Sequence, residues 1–153
     1  MKAIMACDPK GGIGLNGQLP WPKIPVDLKR FRMLTDKGVV VMGRKTWEAN
    51  DMPKPLPNRT NIIVSTRKLK LLPGVLQVKD IKWFEDYQDF WLIGGAGLFT
   101  SMMYQINEIH LTRVTTNYDC DTHIDLSQLY NDFNVKQLTY LDDHTYEILI
   151  RKS

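Results

Sequence analysis

Apolar, β-branched runs that break off at a glycine or a polar cluster and give way to helix-patterned stretches recur along this chain. That alternation restricts its fold more than any other feature. Strands are expected at Ala3–Cys7, Gly38–Met42, Asn61–Ser65, Val75–Val78, Phe90–Ile93 and Glu108–Val114. Two more, Asn134–Leu141 and Thr145–Arg151, flank Asp142-Asp143-His144 and read as a closing hairpin. Between them Val26–Asp36, Arg44–Asn50, Ile81–Tyr87 and Gly97–Gln105 read as helices. Strands that alternate with helices are joined by crossovers and lie parallel, with helices on both faces. The expectation is a three-layer α/β fold: a mixed, mostly parallel eight-stranded sheet with an antiparallel C-terminal hairpin and about four flanking helices.

A length of 153 residues with 43% hydrophobic and 24% charged residues suits one domain spanning 1–153, large enough to form a core without metal or disulfide staples. The opening residues are too short an apolar run for a signal peptide, and no stretch approaches a membrane span. Cys7 and Cys120 match no metal or redox spacing, and His110, His123 and His144 are dispersed, so free thiols, no metal and a cytoplasmic location are expected. A net charge of +3 is too small to argue for nucleic acid by itself.

In open parallel sheets ligands collect at the carboxyl ends of strands, so the strand-to-helix junctions carry the functional signal. Ile93-Gly94-Gly95-Ala96-Gly97-Leu98-Phe99 runs from a buried strand through glycines into a helix, where free N–H groups favour a diphosphate. It is not the GxGxxG fingerprint, and a plain strand-to-helix turn accounts for it equally well alone. Val39-Val40-Val41-Met42-Gly43-Arg44-Lys45-Thr46-Trp47 repeats the arrangement, with two cations in a first helical turn that ordinarily prefers acids. A third strand ends in Ser65-Thr66-Arg67. Arg44, Ser65, Thr66 and Arg67 together suit a monoester phosphate, the group that separates NADP from NAD.

On a helical wheel of Val26–Asp36, Leu34, Asp27, Phe31 and Leu28 fall on one face, and Lys29, Arg30, Arg32 and Lys37 occupy the rest. Asp27 thus sits in the middle of the apolar stripe, as the only ionisable group expected inside the pocket. Burial there penalises the charged form unless a partner is supplied, and a ligand with an amidine-like N–H edge would supply one. The alternative is a carboxylate that caps the first turn after Pro25. The preceding segment, residues 9–22, has four glycines and three prolines and ends in Leu19-Pro20-Trp21, which fits either a closing lid or a rigid surface loop.

These pieces, in this order, resemble dihydrofolate reductase. The resemblance is carried by Ile13-Gly14 with Leu19-Pro20-Trp21, Pro25-Val26-Asp27-Leu28 with Phe31 and Thr35, Met42-Gly43-Arg44-Lys45-Thr46-Trp47, Pro55-Leu56-Pro57 with Arg59, Asn61-Ile62-Ile63-Val64-Ser65, Ile93-Gly94-Gly95, Leu111-Thr112 and Asp121-Thr122. It implies NADPH-dependent reduction of 7,8-dihydrofolate, by hydride transfer to C6 and protonation at N5. Asp27, Leu19 and Trp21 would form the catalytic group. Ile4, Leu28, Phe31, Met52, Lys54, Leu56, Arg59 and Thr112 would join Asp27 in holding the substrate, with Arg59 on the glutamate carboxylate and Thr112 donating to Asp27. The cofactor would meet Ala6, the lid residues Gly12, Ile13, Gly14, Leu15, Asn16, Gly17 and Gln18, and then Gly43, Arg44, Lys45 and Thr46. Ser65, Thr66, Arg67 and Lys79 would complete the 2′-phosphate side, and Ile93, Gly94, Gly95, Ala96, Gly97, Leu98, Phe99, Thr100 and Ser101 the remainder.

The sequence departs from the family pattern at Phe99, where tyrosine is common, at Gly97, often basic, and at Cys120, often glycine. Dihydrofolate and NADPH are the expected partners, with no nucleic acid, no membrane and a monomeric chain. Reduction of another pterin or of a ribosylaminopyrimidine is the rival enzymatic reading, which Arg59 disfavours. A nucleic-acid-binding module would need an exposed aromatic-basic stripe that Trp21, Trp47, Trp83 and Trp91 do not form.

Overall fold

The computed structural model describes residues 1–153. In chain order the first half holds β1 (Lys2–Cys7), β2 (Gly12–Gly14), α1 (Pro25–Thr35), β3 (Val39–Gly43), α2 (Arg44–Glu48), β4 (Thr60–Val64) and β5 (Val75–Val78). The second half holds β6 (Trp91–Gly94), α3 (Ala96–Met102), β7 (Glu108–Val114), β8 (Thr122–His123), α4 (Leu126–Asp132), β9 (Phe133–Tyr140) and β10 (His144–Arg151). Eight strands form one sheet in the order β5-β4-β3-β6-β1-β7-β10-β9, and β2 pairs with β8 in a separate two-stranded ribbon. Pairings from β5 across to β7 are parallel, whereas β10 runs antiparallel to both β7 and β9. The expected α/β sheet with its reversed terminal hairpin is the observed one.

Residue parity sorts the strands into two faces. Ala3, Met5 and Cys7 of β1, Val41 of β3, Ile62 of β4 and Leu92 of β6 enter the main core, together with Phe99 and Met102 of α3 and Leu129 of α4. Their neighbours Val40, Met42 and Ile63 join Trp47 of α2 and Leu56 in a smaller cluster on the other face, where Phe31 of α1 packs. Each fully buried side chain of this kind contributes about 1.5–3 kcal/mol of transfer free energy. Two layers of helix therefore clasp the sheet, and α1 lies on the smaller-core side.

Five local departures from expectation appear. Ile81–Asp86 forms a 3-10 turn, not an α-helix, started by the Asp80 side chain accepting from Lys82 N–H. α2 stops at Glu48, and the last turn of the expected 97–105 helix tightens to 3-10 geometry at Met103–Gln105. α4 has no counterpart among the expected elements. The ribbon of β2 and β8 is also new, and its strands are too short to show periodicity.

Candidate active site

The chain's main cleft, about 410 Å³, opens at the carboxyl ends of β1, β3 and β6 and is roofed by α1 and the lid loop. Strand parity builds its floor. Ile4 and Ala6 project from β1 opposite Ala3, Met5 and Cys7, while His110 and Thr112 project from β7 opposite Ile109 and Leu111. Between β3 and β6 the register slips, so that Val41 faces Leu92 but Met42 faces Gly94. Ile93 is left out of the ladder, and its side chain lines the cleft.

Gly94 takes φ +143°, a region L side chains avoid, and a Cβ there would lie 3.3 Å from Thr46 Oγ1. The peptide linking Gly94 to Gly95 is cis. Gly95 and Gly43, the residues capping α3 and α2, provide no side-chain acceptor for the helix amides. Two bare helix N-termini therefore meet at one end of the cleft, with Lys45, Thr46, Ala96 and Phe99 in its wall. A polar recess of about 230 Å³, lined by Asn16, Gly17, Gln18, Lys45 and Glu48, continues the groove between lid and α2.

Asp27 does face the cleft, but it is partnered. Thr112 Oγ1 donates to its Oδ1 at 2.5 Å, and Arg30 Nη1 donates to the same oxygen at 3.3 Å. Nothing in the protein hydrogen-bonds Oδ2. Two expectations fail here. Asp27 is not deep in an apolar interface, because its side chain is 24% exposed and the only buried residue of α1 is Thr35; the apolar side of this helix faces open cleft rather than core. Nor is Asp27 the only ionisable group, since Arg30, Asp51, His110, Tyr146 and Lys45 also line the wall.

Ile13, Gly14, Gly17, Gln18, Leu19, Leu28, Phe31, Met52 and Leu56 line the cleft as expected. Trp21 is buried outside it, edge-on to Tyr118 at 6.0 Å, and anchors the far end of the lid. Lys54 bends back onto the Ala49 carbonyl at 2.8 Å. Arg59 stands at the rim, held by Thr35 Oγ1 at 3.0 Å and the Pro57 carbonyl at 2.8 Å, with its guanidinium 5.8 Å from the Phe31 ring centre. Arg44 is tied to Glu48 at 2.9 Å. Ser65 Oγ accepts from Arg67 N–H, and Gln77 donates to the carbonyls of both Ser65 and Arg67, which shapes that turn. Thr66 and Lys79 are exposed beside it. On α3, Gly97 is exposed, Thr100 and Ser101 bond back to the helix carbonyls of Ala96 and Gly97, and Leu98 packs on the main core instead of facing the groove.

The lid is fastened at its base. Leu15 and Gln18 exchange backbone bonds around Asn16 and Gly17, both at positive φ, and Asp121 Oδ2 accepts from Asn16 N–H at 2.9 Å. Beneath it, Asp8 is buried and accepts from the amides of Gly12, Lys10 and Tyr118. Burial pushes its carboxyl upward, but those amides outweigh it and hold the group below the usual carboxylate range. Cys120 packs directly on Gly12 and Asp8.

Sequence reasoning overlooked Arg30, His110, Tyr146 and Asp8. His110 had a usable signal, lying two residues from Thr112 on the same strand and hence on the same face. Tyr146 had none, because its position opposite Thr112 depends on the register of β10 against β7.

A carboxylate-bearing cleft at the carboxyl ends of a parallel sheet, flanked by two uncapped helix N-termini, describes a reductase that sets a flat heterocycle against a phosphate-rich cofactor. The family model for dihydrofolate reductase matches residues 1–150. Dihydrofolate reductase type 8 of Escherichia coli is 36% identical over 159 residues, covering 95% of this chain and 92% of that protein. The Haemophilus influenzae dihydrofolate reductase is 38% identical over 124 residues, covering 78% and 74%. Among solved structures, dihydrofolate reductase from Enterococcus faecalis, complexed with NADP(H) and RAB-propyl, superposes with a TM-score of 0.83 at 28% identity, covering 99% of this chain and 96% of that one. The chain belongs to the dihydrofolate reductase family.

Proposed function

We propose that this chain reduces 7,8-dihydrofolate to tetrahydrofolate with NADPH, as one domain and a monomer, using the residue roles set out below. The observation that carries the reading is the placement of Asp27: its Oδ1 is bonded to Thr112 and Arg30, and its Oδ2 stands free in the cleft. A carboxylate so held suits the 2-amino and N3 edge of a pteridine. Ile4, Leu28, Phe31, Met52 and Leu56 supply apolar walls for the rings, and Arg59 at the rim suits the glutamate carboxylate.

The groove fits the cofactor. Gly94 and Gly95 leave open the space a Cβ would fill against Thr46, and the bare amides of α2 and α3 face the same end. NADPH, when bound, supplies the hydride at nicotinamide C4. Ala6, Ile13, Gly14, Leu19 and Ile93 enclose the nicotinamide end and exclude bulk water, while Lys45 pairs with the diphosphate and the Thr46 hydroxyl donates to it. Arg44, Ser65 and Arg67 serve the 2′-phosphate. Asp27 orients the pteridine and tunes its basicity, while a water delivers the N5 proton.

No helix is long and apolar enough to cross a membrane. Two free thiols, Cys7 and Cys120, fit a reducing compartment, which supports a cytoplasmic location. The test is the loss of NADPH absorbance on adding dihydrofolate, with NADH and a tail-less dihydropterin in parallel. Oxidation that requires dihydrofolate and prefers NADPH is expected; no folate-dependent oxidation overturns the reading.

A further inference from the structure

Behind Asp27 runs a chain of polar groups that the proposed reaction leaves without a role. Arg30 reaches Asp27 Oδ1 at 3.3 Å, sits over the Tyr146 ring with its guanidinium carbon 4.0 Å from the ring centre, and donates through Nη2 to His144 Nε2 at 3.4 Å. His144 is fully buried, and its Nδ1 donates to Asp143 at 2.6 Å, which leaves Nε2 as the acceptor for Arg30. On the other side, His110 Nε2 donates to Glu108 at 2.7 Å. Burial lowers the His110 pKa, so the ring is neutral and its Nδ1 accepts from the Tyr146 hydroxyl. Tyr146 is therefore locked in orientation and offers Arg30 a fixed aromatic face.

The consequence falls on Asp27. Its Oδ1 already receives two donors, from Thr112 on β7 and from Arg30 on α1, so Oδ2 is the oxygen presented to a ligand. We propose that Arg30 is a positioning residue for the reaction: braced on Tyr146 and His144, it fixes the plane of the Asp27 carboxylate and so sets the direction in which Oδ2 meets the pteridine edge. This rests on the assignment of Asp27 as the pteridine anchor. The charged and titratable groups facing this assembly are Asp27 and Arg30 from α1, Lys2 from β1, Glu108 and His110 from β7, Lys136 from β9, His144 and Tyr146 from β10, Asp143 from the turn before it, and Asp51 and Lys45 across the cleft.

Removing the guanidinium takes away one of the two donors that hold Oδ1, so the Asp27 carboxylate is freer to turn away from the ligand edge. The experiment measures kcat and KM for dihydrofolate at pH 7 in the wild type, Arg30→Met, Arg30→Lys and Tyr146→Leu, with thermal melts to verify folding. Wild-type turnover is read first, because its absence removes the underlying assignment, whereas the variants test only Arg30. For Arg30→Met the expected result is a KM for dihydrofolate raised about tenfold, a larger change than in kcat. Arg30→Lys recovers only part of that KM, because an ammonium restores the charge without the planar guanidinium fork. Tyr146→Leu raises KM in the same direction by less. A KM that stays in place in Arg30→Met, or kcat and KM changes that merely track a lower melting temperature, overturns the proposal. If Arg30→Met does not fold, the same criteria apply to Arg30→Lys and Tyr146→Leu.

Discussion

The contact between Gly12 and Cys120 sets a sharp test of how the lid is rooted. Gly12 has an ordinary φ, so alanine is permitted by its backbone, yet a Cβ at that position would stand 2.3 Å from Cys120 Sγ, 2.8 Å from Cys120 Cβ and 3.1 Å from Asp8 Oδ1. Rotating the thiol relieves only the first of these, because the 2.8 Å contact is with Cβ itself. Gly12→Ala must therefore displace the loop around Cys120 or stretch the 2.8 Å bond from Gly12 N–H to Asp8. Overpacking of this kind costs about 1–3 kcal/mol. At ~2 kcal/mol, a chain of this size should melt about 4–8 °C lower.

Cys120→Gly removes both offending atoms at its own cost of about 1 kcal/mol. The double variant should then be close to Cys120→Gly alone, a coupling of about 1–2 kcal/mol measured by urea unfolding of all four proteins. If the two single effects instead add to within about 0.5 kcal/mol, the two residues do not share the space and the reasoning fails.

Asp27→Asn keeps the shape of the side chain but removes the charge that meets the pteridine, so kcat/KM for dihydrofolate at neutral pH should drop at least ~100-fold, and full activity in that variant would refute the assignment. Arg44→Ala should raise KM for NADPH about tenfold and leave KM for NADH nearly unchanged, as read from initial rates with each cofactor. Asp8 is held below the usual carboxylate range, so its stabilising effect is present above about pH 4 and is lost as pH falls through the lower folded-state value. Asp8→Asn should thus cost about 1–3 kcal/mol at pH 7 and converge on the wild type in acid, as judged by urea midpoints from pH 7 to pH 3.

The sheet was legible because β-branched runs such as Val39-Val40-Val41 and Asn61-Ile62-Ile63-Val64 have few other stable arrangements. The helix at 126–132 was missed although its start is written plainly: Asp125 caps it by accepting from Gln128 N–H at 3.0 Å, and an acidic residue three positions before a glutamine is a helix-start pattern. The turn at Asn16-Gly17 also carried a hairpin signal, obscured by the other glycines of the lid. Arg30 was misplaced for a different reason. Charge on a helical wheel is assigned to solvent by default, but here α1 borders a cleft whose far wall, Tyr146, comes from β10 and rewards a cation turned inward. Wheel arguments carry no information about that second surface.

The position of β1 also governs how the chain assembles. It lies between β6 and β7, with Lys2 opposite both Trp91 and Glu108, so its two neighbours are made about a hundred residues after it. At roughly 5–20 residues per second, β1 leaves the ribosome some 5–20 s before either ladder can form. Over that interval Ala3, Met5 and Cys7 are an apolar edge without a partner, and the carboxyl end of the same strand carries Ile4 and Ala6 of the site. Long-range parallel pairing is slow and exposes such edges to association. The strand that gives the finished cleft its floor thus depends on staying unassociated while the rest of the sheet is being made.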